Sequence, residues 1–220
     1  MPSSISFTPE HENPSASYHL VFLVSGNPGL ISYYNPFLTT LHQLLSENES
    51  GEDVFHIYGE SLAGFEDDDA PSKATGLPYS LEEQIETRIE TLKDLNIPSG
   101  NRKGQAYDGI ILIGHSVGSY IILEMLQRLK KLPRLNIRAG ILLFPTVTHI
   151  AESPRGTKLS GVVHIPGFAR GVGLLARVLT WIAPRSAVKL FARLVTGMPE
   201  ESLEVTTRFL TSRMGVWQAL

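Results

Sequence analysis

Asp108-Gly109-Ile110-Ile111-Leu112-Ile113-Gly114-His115-Ser116-Val117-Gly118 sets a short apolar run directly against a serine flanked by glycines. Residues 108–113 read as a buried strand on the strength of the aliphatic, largely β-branched run Ile110-Ile111-Leu112-Ile113, and residues 116–131 carry the apolar spacing of a helix. Gly-x-Ser-x-Gly is common by chance, but between a strand and a helix it has the context of a nucleophile elbow. There the serine occupies a strained turn, and Gly114 and Gly118 are expected because a side chain at either would strike the neighbouring strand or helix.

Working outward, residues 18–24, 53–58 and 138–144 read as three further strands. Helices are expected over about 34–46, over 80–95, where Ser80-Leu81-Glu82-Glu83 has the form of a capping box, and over 171–183, 185–196 and 199–213. Strands alternating with helices predict a parallel sheet covered on both faces, an α/β fold of the α/β-hydrolase type. The change to helices alone predicts a core over 1–165 and a helical lid over 166–220. With four strands read, the sheet is expected to be C-terminally truncated, lacking the last strands of that fold.

Composition bounds the chemistry. The 220 residues suffice for one core, and the absence of cysteine excludes disulfides, thiolate metal sites and a cysteine nucleophile. The acidic run 66–69 lacks the spacing of a calcium loop and reads as a solvated loop, so neither a metal nor a cofactor is expected. The polar first 17 residues have no signal-peptide pattern, the Asn48-Glu49-Ser50 sequon reads as a loop, and no apolar run is long enough to span a bilayer. Net charge is −3, which argues against nucleic acid, but residues 1–154 carry −9 and residues 155–220 carry +6.

A serine nucleophile needs oxyanion donors, a base and an acid. The Val117 amide at the helix start is one candidate donor; Asn27, in the Ser25-Gly26-Asn27-Pro28-Gly29 segment that ends the first strand, is the second. That segment also reads as a plain turn or a phosphate-cradling loop, although it lacks the glycine and lysine pattern of the latter. The base and acid of this fold follow the serine in the order Asp or Glu, then His. No aspartate follows Asp108; the later glutamates are Glu124, Glu152, Glu200, Glu201 and Glu204, and the later histidines His149 and His164. Glu124 falls on the far side of the elbow helix and the two histidines come too early for the base of this fold, although His149 could approach Ser116 from the strand-end loop, so no triad Asp or His is found in this chain. His115 is expected to point away from Ser116, and His19 and His56 to be ordinary strand residues.

Several segments together resemble the lipid-droplet-associated hydrolase family: Gly26-Asn27-Pro28-Gly29 with Tyr33, Tyr34 and Phe37; Tyr79-Ser80-Leu81 with Gln84 and Ile85; Gly114-His115-Ser116-Val117-Gly118 with Tyr120; and Leu143-Phe144-Pro145-Thr146 with Ile150, Ala151, Ser153, Pro154 and Gly156. The resemblance implies an α/β-hydrolase fold and a serine esterase acting on a neutral lipid or sterol ester through an acyl-enzyme on Ser116. It also implies a lipid-droplet surface, or the cytosolic face of the endoplasmic reticulum, as the place of work. Arg185, Lys189 and Arg193 lie one helical turn apart on one face, as in a helix resting on a phospholipid monolayer with its cations at the headgroups. The same helix also reads as a cap with solvated cations, and the chain as a catalytically silent surface protein.

Overall fold

The computed structural model describes residues 3–9, 15–47, 52–65, 78–130, 134–148 and 183–211, and singly Glu152, Thr157, Gly171 and Leu174. The strands are β1 (Ser4–Phe7), β2 (Ser17–Val24), β3 (Asp53–Glu60), β4 (Gly109–His115) and β5 (Ile137–Leu143); the helices are α1 (Asn35–Glu47), α2 (Leu81–Asp94), α3 (Val117–Leu129), α4 (Arg185–Thr196) and α5 (Glu200–Thr211). The expected helix over 171–183, the domain boundary at 165, the sequon, the acidic run, His149 and His164 lie outside the described residues or rest on them.

The five strands run in the order β1-β3-β2-β4-β5. β2 pairs in parallel with β3 on one side and β4 on the other, and β4 in parallel with β5. The expected wholly parallel, four-stranded sheet is corrected by β1, which pairs antiparallel with β3 along Ser4–Phe7. Its signal is a single polar-apolar alternation, Ser4-Ile5-Ser6-Phe7, short enough to pass for polar leader sequence. Ile5 is nevertheless buried, and β1 covers the edge that β3 would otherwise present.

Residues along β2 divide between two cores, as the pleat dictates. Leu20, Phe22 and Val24 join Ile85, Ile89, Ile121 and Met125 beneath α2 and α3, while Val21 and Leu23 join Leu38 of α1, with Ile31 and Ile57, on the other face. Leu20, Phe22 and Leu23 are wholly buried, each contributing about 1.5–3 kcal/mol of transfer free energy. The capping box starts α2 as expected: Ser80 Oγ accepts from Glu83 N–H, and Glu83 Oε2 accepts from Ser80 N–H at 2.8 Å. α2 and α3 are joined at the surface by Arg128, which donates to Glu82 at 2.6 Å and also to Glu86.

β2 leads through α1 to β3, whereas β4 leads through α3 to β5, so the two neighbouring strands send their chains to opposite sides. A crevice opens at the C-terminal ends of such a pair, the usual place for a site in an open α/β sheet.

Candidate active site

The crevice holds Ser116 on one lip and Gly26–Gly29 on the other. Ser116 has φ 53° and ψ −120°, a backbone conformation that a side-chain-bearing residue rarely adopts. The strain is held by neighbours on both sides: Ser116 N–H donates to Leu143 O at 2.9 Å, and Ser119 N–H to Ser116 O at 3.0 Å. A methyl group on Gly118 would lie 2.3 Å from Val24 O, and one on Gly114 would lie 2.5 Å from Gly118 O. The start of α3 is therefore pressed against the end of β2 with only hydrogens between, and Val117 begins the helix directly after the serine.

The Gly26–Gly29 loop is fixed by bonds that the sequence did not announce. Gly26 N–H donates to Tyr34 Oη at 2.8 Å, and Tyr34 Oη shares a second 2.8 Å hydrogen bond with His115 Nδ1. The ring beside Ser116 thus ties the turn after β4 to the loop, and His115 is turned to Tyr34. A methyl on Gly26 would come within 3.1 Å of Ser116 Cβ, which sets the loop directly against the serine. Burial pushes the Tyr34 phenol above its ordinary pKa, so it stays a neutral hydrogen-bonding group.

Behind the loop, Leu62 N–H donates to Gly29 O at 2.7 Å and Ile31 N–H to Ser61 Oγ at 3.1 Å. Residues 61–65 are in turn held by α2. Gln84 Oε1 accepts from Ala63 N–H at 2.9 Å while its amide donates to Ala63 O at 2.7 Å, and Arg88 donates to Ser61 O at 3.3 Å. Arg88, only 3% exposed, also pairs with Glu60 at 2.5 Å. Gln84 entered the sequence reading as part of a pattern with no role; its role is this double bond to Ala63. Sequence spacing gave no sign of it, because the partners are 21 residues apart.

The other side of Ser116 differs. Ser116 Oγ is 3.3 Å from Thr146 Oγ1, in the turn after β5, and among the described residues no histidine and no carboxylate bonds to the serine. Glu124 lies on the α2–α3 seam, 3.5 Å from Arg128. Asp108, the last aspartate, is at the opposite end of β4 from the elbow. There Arg102 donates to it at 2.6 and 3.0 Å and holds its carboxyl below the usual range. His19 bonds to Asp53 at 2.8 Å at the start of its strand, and His56 is buried between Ser6 and Tyr107. Among the described residues no cluster of His, Asp and Glu could hold a metal ion.

α4 and α5 pack together beyond the crevice. Lys189, expected to face headgroups with Arg185 and Arg193, instead reaches α5, where it pairs with Glu200 at 2.5 Å and Glu204 at 3.3 Å. Arg185 and Arg193 are exposed. The surface α4 presents most openly is apolar: Leu190, Phe191, Leu194 and Val195 are each more than half exposed. Among the described residues no helix is long and apolar enough to cross a membrane.

Comparison with known proteins bears on this geometry. The sequence pattern of the family described as "Lipid-droplet associated hydrolase" matches residues 17–220. The chain belongs to that family. Lipid-droplet-associated hydrolases that it resembles include those of Mus musculus, 31% identical over 159 residues, and Dictyostelium discoideum, 28% identical over 177. The first match covers 67% of this chain and 44% of the mouse protein, the second 74% and 52%. The chain therefore spans about half or less of the length of these curated relatives. Among solved structures, juvenile hormone epoxide hydrolase from the silkworm Bombyx mori is similar with a TM-score of 0.58 at 13% identity, covering 98% of this chain and 53% of that one. Aspergillus niger epoxide hydrolase is similar with a TM-score of 0.50 at 18% identity, covering 98% and 56%. At such identities the likeness is one of fold, and the fold of this family member is that of the α/β hydrolases.

Proposed function

We propose that this chain carries the nucleophile and oxyanion site of a serine hydrolase acting on a carboxylic ester of a neutral lipid or sterol. The observation that carries the reading is the strained backbone at Ser116, held between Leu143 O and the start of α3 with the Gly26–Gly29 loop against it. Strain of this kind persists only where surrounding structure enforces it, and it gathers at functional sites.

In the proposed reaction Ser116 Oγ attacks the ester carbonyl carbon and its proton passes to a base. The carbonyl oxygen becomes an oxyanion held by the Val117 and Asn27 amides. The C–O bond to the alcohol then breaks, the alcohol leaves with a proton, and water hydrolyses the acyl-enzyme. Removing one such oxyanion donor lowers kcat by about 10²–10³. The base and its acid are not supplied by the described residues. The exposed apolar face of α4, with Arg185 and Arg193 at its flank, fits a lipid monolayer, whether at a droplet or at the cytosolic face of the endoplasmic reticulum.

A second reading, a catalytically silent surface protein, is favoured by one observation: the recorded side-chain partner of Ser116 is a threonine. A fluorophosphonate probe separates the two. Labelling of the wild type that Ser116→Ala abolishes supports the hydrolase; equal labelling of both, or of neither, supports the silent protein.

A further inference from the structure

A cavity of about 470 Å³ has Asn27 and His115, the residue before Ser116, in its wall. That volume is within the range of small-molecule sites, about 300–1,000 Å³. From Asn27 it passes Pro28 and ends against the C-terminal helix pair, where Met198, Phe209 and Leu210 face it. A cavity of similar size, about 490 Å³, lies between Asn35 and α5, but it is bordered by Glu200, Glu201 and Glu204 and has no residue of the elbow in its wall. Apolar walls and contact with the elbow occur together only in the first of these two.

We propose that this cavity receives the fatty acyl chain of the ester substrate, an inference that rests on Ser116 being the nucleophile. The tetrahedral intermediate has four substituents: Ser116 Oγ, the oxyanion, the alkoxy group and the acyl carbon. The first two are fixed by Ser116 and the Val117 and Asn27 amides. The alkoxy oxygen must be protonated to leave, so it has to face a proton donor. The two phenols and the threonine hydroxyl of the cavity wall are already committed. Tyr34 Oη is engaged with Gly26 and His115, and Tyr33 lies 2.8 Å from Thr206, whose hydroxyl proton goes to Ser202 O at 2.8 Å, so the phenol donates to it. The substituent that needs no proton, the acyl chain, is the one this wall suits. Met198 adds an adaptable thioether, which can follow the shape of a flexible chain. The Tyr33–Thr206 bond also joins the two walls, holding α5 at a fixed distance from the Gly26–Gly29 loop.

The test uses parinaric acid, a naturally fluorescent fatty acid, titrated into the full chain. The expected result is saturable binding, equal in wild type and Ser116→Ala, weakened at least tenfold by Met198→Trp and by Leu210→Trp made separately, and unchanged by Phe191→Ser on the outer face of α4. Displacement from the wild type should strengthen from butyrate to decanoate. In any preparation that hydrolyses p-nitrophenyl esters, Met198→Trp should lower kcat/KM for the decanoate tenfold or more against the acetate. Absence of saturable binding, displacement independent of chain length, or weakening by Phe191→Ser alone would overturn the assignment. Binding as expected in a chain whose Ser116 the fluorophosphonate probe does not label would overturn the hydrolase reading and leave an acyl-binding cavity standing.

Discussion

The two sides of Ser116 are built differently. Toward β2, every segment near the serine is fastened to another: α2 grips residues 61–65 through Gln84 and Arg88, those residues hold Gly29 and Ile31, and Tyr34 closes the circuit to His115. Toward β5, the strand is exposed from Arg138 to Leu142, Ile141 and Leu142 are each more than one-third accessible, and Phe144 beside His115 is 84% exposed. The fixed side holds the part of the reaction in which geometry must not vary, the proposed oxyanion contacts. The open side leaves room for the proton-transfer groups that the proposed reaction needs. Preorganised donors act without reorganisation at the moment of reaction, which suits rigidity on the β2 side.

That contrast is broken most sharply at Arg88. Arg88→Ala leaves the half-buried Glu60 carboxylate without its guanidinium, a change that costs about 3–5 kcal/mol for a buried pair. The urea midpoint should fall accordingly. A midpoint close to that of the wild type would show that the β2 side is less interlocked than its bonds suggest.

A change of pH should act next in size, and on the same side. Tyr107 donates its one proton to Asn96 O, so His56 Nδ1–H donates to Tyr107 and Nε2 accepts from Ser6 Oγ–H, a neutral imidazole bridging β1, β3 and the segment before β4. Burial lowers the His56 pKa from 6.5 to about 4. Between those values the unfolded chain binds a proton that the folded one does not. This contribution is therefore fully present above pH 6.5 and declines as pH falls toward 4, by roughly 3 kcal/mol in all. Unfolding free energies measured at pH 7 and pH 4.5 should differ less in His56→Gln than in the wild type.

The smallest effect is expected on the outer side. Lys189→Ala removes exposed ion pairs, which are weak and screened by salt, so the thermal midpoint should not move measurably at physiological ionic strength. A clear loss would mean that the α4–α5 pair is as firmly interlocked as the β2 side.

The elbow, the four main strands and the capping box were legible because each is a local pattern. Their signals, such as Ile110 to Gly118 or Ser80 to Glu83, lie within one or two turns of chain. β1 escaped because four residues with one alternation make no periodicity. Gln84, Tyr34 and Thr146 stood in the sequence as members of a resemblance, and their roles needed partners 21, 81 and 30 residues away. Lys189 was placed by helical spacing on a cationic face, but spacing alone does not say which neighbour that face meets. The structure turns it to Glu200 and Glu204 and leaves the apolar residues of α4 outward.

Gly118 against Val24, and Gly26 against Ser116, work as a mechanical stop. Two hydrogens in contact set the width of the crevice, and a single methyl at either place would have to displace backbone or the elbow itself. The gap between the serine and the proposed oxyanion loop is thus a property of how the main chain is stacked. Changes on α4 and α5 can alter what enters the site; they leave untouched the distance across which it acts.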